Sequence, residues 1–289
     1  MKKCLKKKNI AGLSMMVLTL LASCTKEEEA VIDFSDGEVI TATELKSSDE
    51  AEFISEDIIG VVEDVYAADE ISSTSKSNYR SDYLPDCVTI TTVVTDTSKE
   101  KTIDFGEGCE LPNGNVLSGI IYLSYAKDMD LVTKTLNLSL ENFTFNGVAV
   151  EGNASVERVR DNGSGNPQSD AAWTFNGTYS DGDTFSFNGN RTREWIEGYG
   201  SGFWGDNVFL ITGKGTFTGK LGNVFTKEIT TPLRREWSCR FIVSGVLDIS
   251  RNDATASLDF GDGSCDAKGL LTYPDGTSKE IFLRRFFNN

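Results

Sequence analysis

The sequence predicts a mainly β protein: an antiparallel β meander forming a sandwich or a curled sheet (a partial barrel), with one N-terminal amphipathic α-helix. Three observations carry this expectation. From Asp86 onward the pattern has period two, as in Val88, Ile90 and Thr92, or in Leu136, Leu138 and Leu140 set against Thr135, Asn137, Ser139 and Glu141. Turn pairs recur at Asn146-Gly147, Asp181-Gly182, Gly222-Asn223 and Asp275-Gly276, each between strand-like runs. A 39% hydrophobic content with 27 glycines suits a turn-rich chain that fills one core. About twelve strands fit residues 86–287.

Residues 1–23 have the layout of a secretory signal. Lys2, Lys3, Lys6, Lys7 and Lys8 precede an apolar run from Ile10 to Leu21, which is followed by Leu21-Ala22-Ser23-Cys24. The run is too short to span a bilayer, which takes roughly 20 apolar residues. Leu-Ala-Ser-Cys resembles the lipobox of bacterial lipoproteins, and that resemblance implies cleavage before Cys24 and a thioether-linked diacylglyceryl group on its sulfur. Two or three acyl chains, at about 0.8 kcal/mol per buried methylene, hold a protein stably on a membrane. The acidic stretch Thr25-Lys26-Glu27-Glu28-Glu29 resembles the export tag with which Bacteroidota display lipoproteins on the outer face of the outer membrane. The expected location is therefore that membrane, lipid-anchored and facing outward.

Residues 24–47 read as an acidic tether. Over 48–68 the apolar residues Phe53, Ile54, Ile58, Val61, Val62 and Val65 form one helical stripe, with Ser47 or Ser48 as N-cap and Asp49, Glu50 and Glu52 in the first turn. The other face of this helix is acidic, which argues against an anionic membrane surface and for packing on the main domain. Residues 69–85 read as a polar linker.

The charge balance excludes one partner class. The chain holds 28 Lys plus Arg against 44 Asp plus Glu, and loss of the five leader lysines makes it more acidic still, so phosphate backbones repel it. Histidine is absent, which removes Ser-His-Asp and Cys-His catalysis and imidazole zinc sites. No cofactor is expected.

Two segments repeat one another. Cys87 to Cys109 ends Asp104-Phe105-Gly106-Glu107-Gly108-Cys109, and Cys239 to Cys265 ends Asp259-Phe260-Gly261-Asp262-Gly263-Ser264-Cys265. Each reads as a hairpin, centred on Ser98 and on Asn252 respectively, which pairs Cys87 with Cys109 and Cys239 with Cys265 unless bulges shift the register. Export permits oxidation, and each bond is expected to stabilise the fold by roughly 3 to 4 kcal/mol. A four-cysteine metal site is the competing reading, but close Cys-x-x-Cys pairs are missing.

Three motifs are set aside. Asp-Phe-Gly lacks the other kinase signatures, Gly200 to Gly205 has no helix to receive a phosphate, and Ser73-Thr74-Ser75-Lys76 lacks its penicillin-binding partners. The aspartates around 181–183 and 259–266 read as turn residues rather than calcium ligands. The stretch from Arg191 to Asp206 is richer. Arg193, Glu194, Trp195, Glu197, Tyr199 and Trp204, joined by Trp237 from the echo Leu233-Arg234-Arg235-Glu236-Trp237, form a candidate surface for a glycan or protein ligand. The bland alternative has the tryptophans packing the sheet while Arg and Glu pair across strands.

Residues 86–285 resemble a group of uncharacterised, chiefly flavobacterial Bacteroidota lipoproteins. The resemblance rests on the two Asp-Phe-Gly-[Glu/Asp]-Gly cysteine hairpins, Arg191 to Gly198, Asn207 to Gly213 and the Leu-Arg-Arg ending, and it carries no catalytic residue. The expected function is a non-enzymatic binding or envelope-structural module. The alternative is a glycan hydrolase using two of Glu194, Glu197, Asp206 and Glu236, about 5 to 10 Å apart.

Overall fold

The computed structural model describes residues 32–34, 38–40, 42–75, 79 and 81–283. The leader, Cys24 and the first part of the expected tether lie outside these residues.

Strands β1 (Ile32–Phe34) and β2 (Glu38–Ile40) pair antiparallel ahead of helix α1 (Ala42–Ser75). The rest of the chain builds a single sheet. Its strands are β3 (Thr89–Val94), β4 (Ser98–Asp104), β5 (Cys109–Glu110), β6 (Val116–Ala126), β7 (Thr133–Phe145), β8 (Val148–Val159) and β9 (Gln168–Thr178). They continue as β10 (Thr184–Glu197), β11 (Val208–Thr218), β12 (Val224–Glu236), β13 (Ile242–Arg251), β14 (Ala254–Asp262), β15 (Lys268–Thr272) and β16 (Ser278–Phe282). This is a 14-stranded antiparallel meander with β3 and β16 at its two ends; each strand pairs with its chain neighbour, except that β4 pairs β6 while short β5 also pairs β6. The mainly β class is as expected, and the curled sheet is the arrangement adopted.

The curvature has local causes. Register shifts interrupt the ladders at Ser118/Ile120, Ser139/Thr144, Trp195/Glu197 and Ile211/Gly213, and each bulge bends and twists its strand. Gly119 has φ 80°, and a Cβ there would lie 2.2 Å from the Asn142 carbonyl oxygen. Only glycine fits that close approach.

The sheet curls around the helix. Every residue from Ser47 to Ala67 is buried, and side chains from β4, β6, β7, β8, β9, β10 and β12 all reach α1. One side of the helix is apolar, with Ile54, Ile58, Val61, Val62 and Val65 in the core and Phe53 edge-on to Phe145 at 5.9 Å. The acidic side is buried as well, which corrects the expectation of an acidic face left outside the packing. The helix is also longer than its apolar stripe: the ends of the expected tether and the start of the expected linker, residues 42–47 and 69–75, are helical. Ion pairs rather than apolar burial secure the last turns. Asp69 meets Lys99 at 2.8 Å, Lys101 at 3.1 Å and the Tyr125 hydroxyl at 2.7 Å.

Charge is sorted between the two layers. Among the described residues the buried acids, Asp49, Glu50, Glu52, Glu56, Asp57, Glu63, Asp64 and Glu70, all lie on α1, and the buried bases, Lys101, Lys134, Arg158, Arg191, Arg193, Lys227 and Arg235, all lie on the sheet. Glu56, Glu63 and Glu70 repeat every seven residues, two helical turns, so they share a face with Glu52. Arg191 and Arg193 alternate along β10 and both point inward. Arg191 binds Glu52 through Nε and Nη2 at 2.9 and 2.5 Å, and Lys227 binds the same carboxylate at 3.0 Å. Arg193 bridges Glu56 at 2.5 Å and Glu63 at 3.0 Å, and Arg235 meets Asp57 at 3.2 Å. Burial pushes the Glu52 carboxyl up, but Arg191 and Lys227 outweigh it and hold the group below its ordinary range. For Glu56 burial wins over Arg193, aided by the neighbouring Glu52 and Glu63, and the carboxyl is raised.

Both disulfides form as expected, with Cα–Cα distances of 5.8 Å for Cys87–Cys109 and 5.7 Å for Cys239–Cys265. The first hairpin differs in detail. Thr89 opposes Asp104, which centres the turn between Asp96 and Thr97 rather than on Ser98. The offset is absorbed at Gly106 (φ 62°), where the chain turns before reaching Cys109. The Asp-Phe-Gly repeat has one geometry in both places: Asp104 and Asp259 accept the amides of Gly106 and Gly261 at 2.8 and 2.9 Å, and Phe105 and Phe260 are buried.

Arg193→Met leaves the Glu56 and Glu63 carboxylates buried beside an uncharged side chain. The expected loss is about 3 to 5 kcal/mol of unfolding free energy, measured by denaturant titration, and a loss below about 1 kcal/mol would show that the helix carboxylates do not depend on this pair.

Candidate functional site

Strand parity separates the residues of the expected ligand surface. On β10 the side chains of Arg193 and Trp195 point inward and are buried, whereas Glu194 and Glu197 point outward. Trp237, just after β12, is buried too, and its ring lies 6.4 Å from Trp195 and 4.2 Å from Tyr83. It packs against the helix at Gly60, where a Cβ would stand 3.0 Å from the indole. The echo between 193–195 and 235–237 is therefore a spatial doubling, but an interior one. Tyr199 is half-buried and donates to Glu70 at 2.8 Å, and Trp204 is half-buried against Tyr83 and Phe203. Four of the seven residues serve the helix–sheet packing, and the set does not make one surface.

The outward carboxylates are each engaged by a neighbouring side chain. Arg234 lies 3.0 Å from Glu197 and 2.7 Å from Glu236, while Asp206 accepts from the Ser201 hydroxyl at 2.9 Å. Glu194 accepts from Asn166 at 2.8 Å and Asn162 at 3.0 Å, and these bonds hold its carboxyl below the usual range. A carboxyl stabilised in its charged form is a poor general acid.

The turn aspartates act as turn residues. Asp181, Asp262 and Asp266 each accept a backbone amide two residues on, from Asp183, Ser264 and Lys268. Ser73 and Thr74 belong to the last turn of α1, bonded back to helix carbonyls, rather than to a linker.

A different place gathers the features of a binding site. Between α1, the segment 81–88 and the β3 end of the sheet lies a cavity of about 330 Å³, lined by Asp64, Val65, Ala68, Ser81, Leu84, Val88, Ile90 and Lys101. Five of these eight residues are apolar, and three bring polar groups. That volume is at the lower end of the range for small-ligand sites, and the cavity opens to solvent where Ile90 is exposed. Ser81 donates to the Asp64 carboxyl and accepts the Tyr83 amide at 3.2 Å. Lys101 is committed to Asp69, so Asp64 has no base of its own. Burial lifts the Asp64 carboxyl to about 7, with the Ser81 bond pulling the other way and Asp82 adding to the rise. The sequence signal that sets Asp64 apart is weak, because its neighbours on the helix are also acidic. What separates it is the segment 81–88 facing it, which holds two acids and no base and which only folding brings there.

Comparison with protein-family models, curated proteins and solved structures returns no match to this chain.

The folded chain keeps a proton on Asp64 that the unfolded chain releases above its ordinary value of 3.8. Native stability contributed by this group is therefore present at low pH and lost as pH rises towards 7, by on the order of 4 kcal/mol over that interval. Asp64→Asn removes the loss. Its unfolding free energy relative to wild type is expected to climb with pH between 4 and 7 and then level off, and parallel pH profiles would refute the assignment.

Proposed function

We propose that this chain is an acylated outer-membrane lipoprotein, facing outward, whose folded part is a non-enzymatic binding module with the Asp64 cavity as its ligand site. The observation that carries the binding reading is the cavity itself. An apolar wall with a single uncompensated carboxyl, backed by a serine hydroxyl, takes a small molecule with an apolar body and a hydrogen-bond donor or amine. The lipobox at Leu21 to Cys24 and the acidic residues after it support the location, and the paired Asp-Phe-Gly cysteine hairpins support kinship with flavobacterial lipoproteins. Among the described residues no helix is long and apolar enough to cross a membrane; the lipobox cysteine, Cys24, is the proposed point of attachment.

The glycan-binding reading of the Arg193 to Trp204 stretch is weakened because Trp195 and Trp237 turn inward while the carboxylates turn outward. The hydrolase alternative asks for two carboxyls in an open cleft, one of them held protonated, and the outer-face acids are instead tied up by Arg234, Asn162 and Asn166.

Two measurements test the proposal. Metabolic labelling with a palmitate analogue is expected to mark the wild-type protein and to miss Cys24→Ser; equal labelling of both would refute the anchor. Thermal unfolding in the presence of hexylamine, hexanol or hexanoate is expected to show stabilisation by the amine and the alcohol but not by the acid. Ala68→Leu, which fills the cavity from the helix, is expected to abolish that response, and an unchanged response in the filled variant would dismiss the cavity as the site.

A further inference from the structure

Lys134 and Arg158 stand directly opposite each other in the β7–β8 ladder. Both point inward, and only 2% and 1% of their surfaces are exposed. Like charges at directly opposed sheet positions, with Cβ atoms about 5 Å apart, repel each other. Elsewhere in this interior each buried base finds an acid on the helix, but here the balance fails. Among the described residues, Glu70 is the helix carboxylate that acts on the pair, and it is shared: Arg158 lies 3.4 Å away, Arg160 3.5 Å, and the Tyr199 and Tyr66 hydroxyls 2.8 and 3.5 Å. The Lys134 ammonium has no hydrogen-bond acceptor, and neither does Arg158 Nε. Asp128 and Asp130 act on Lys134 only through their field, from the turn before β7.

A buried ammonium without an acceptor costs several kcal/mol. An oxyanion placed between the two inward side chains, on the inner face of the ladder, accepts from Lys134 Nζ and Arg158 Nε together, separates the two positive charges and restores the balance around Glu70. We propose that Lys134 and Arg158 form a binding site for a small oxyanion of the phosphate or sulfate type, entered beside Arg160, whose side chain is 43% exposed. Burial pulls the Lys134 ammonium below its ordinary range, with Asp128 and Glu70 opposing, and a bound anion returns it towards that range.

The test uses the mature chain and inorganic phosphate, titrated against chloride at constant ionic strength. Wild type is expected to show a saturable rise in Tm with phosphate and with sulfate, absent with chloride, and Lys134→Met is expected to bind phosphate about tenfold more weakly or worse. A measurement on the unsubstituted protein stands beside it: the Lys134 Cε–Hε resonance is expected to move with the same phosphate titration. A flat wild-type curve, an equal rise in Lys134→Met, or an unmoved Lys134 resonance would each overturn the proposal, and a water molecule bridging the two bases predicts the first and the last.

Discussion

Burying a row of carboxylates along one helix carries a desolvation cost that only matched positive charge offsets. The inner face of the sheet supplies that charge at fixed positions, because alternate residues of β10 and β12 point the same way and place Arg191, Arg193, Lys227 and Arg235 along one wall. The helix meets it with Glu52, Glu56 and Glu63, spaced so that they lie on one face. Rotating or sliding the helix by a single residue would bring carboxylates against apolar side chains and leave guanidinium groups unpaired. Apolar burial drives the assembly, and the ion pairs select one register from the several that a purely apolar helix would accept.

Both candidate sites lie where that matching is incomplete. On the helix, Asp64 faces the segment 81–88, which carries no base, and bonds to Ser81. On the sheet, Lys134 has no acceptor while its neighbour Arg158 shares Glu70 with Arg160 and two tyrosines. One is an unmatched acid beside a cavity and the other an unmatched base beside a like charge. A charge that the fold does not neutralise internally is available to a ligand of opposite sign or complementary hydrogen bonding.

The two cysteine hairpins serve a more local purpose. Each Asp-Phe-Gly segment ends a strand by folding the aspartate onto the amide two residues later, buries its phenylalanine and delivers the chain to the second cysteine. This is sequence-local chemistry, and for that reason it was legible from spacing alone, even though the first turn lies a residue or two from its expected centre. The helix ends were not legible in the same way. Residues 69–75 lack an apolar stripe, and what holds them helical is Asp69 on Lys99 and Lys101 and Glu70 on Arg158, contacts with residues distant in the chain.

The amino-acid order by itself determined the antiparallel meander, the presence of a helix before it and the two disulfide pairs, because period-two alternation, helical spacing and hairpin symmetry each act over a few residues. The tertiary structure alone decided which strand faces turn inward, and with them the fate of Arg193, Trp195 and Trp237. It also decided that the acidic side of the helix is interior. A run of carboxylates reads as solvent-facing until a complementary surface exists, and here that surface is assembled from strand residues up to 178 positions along the chain from the acids they meet.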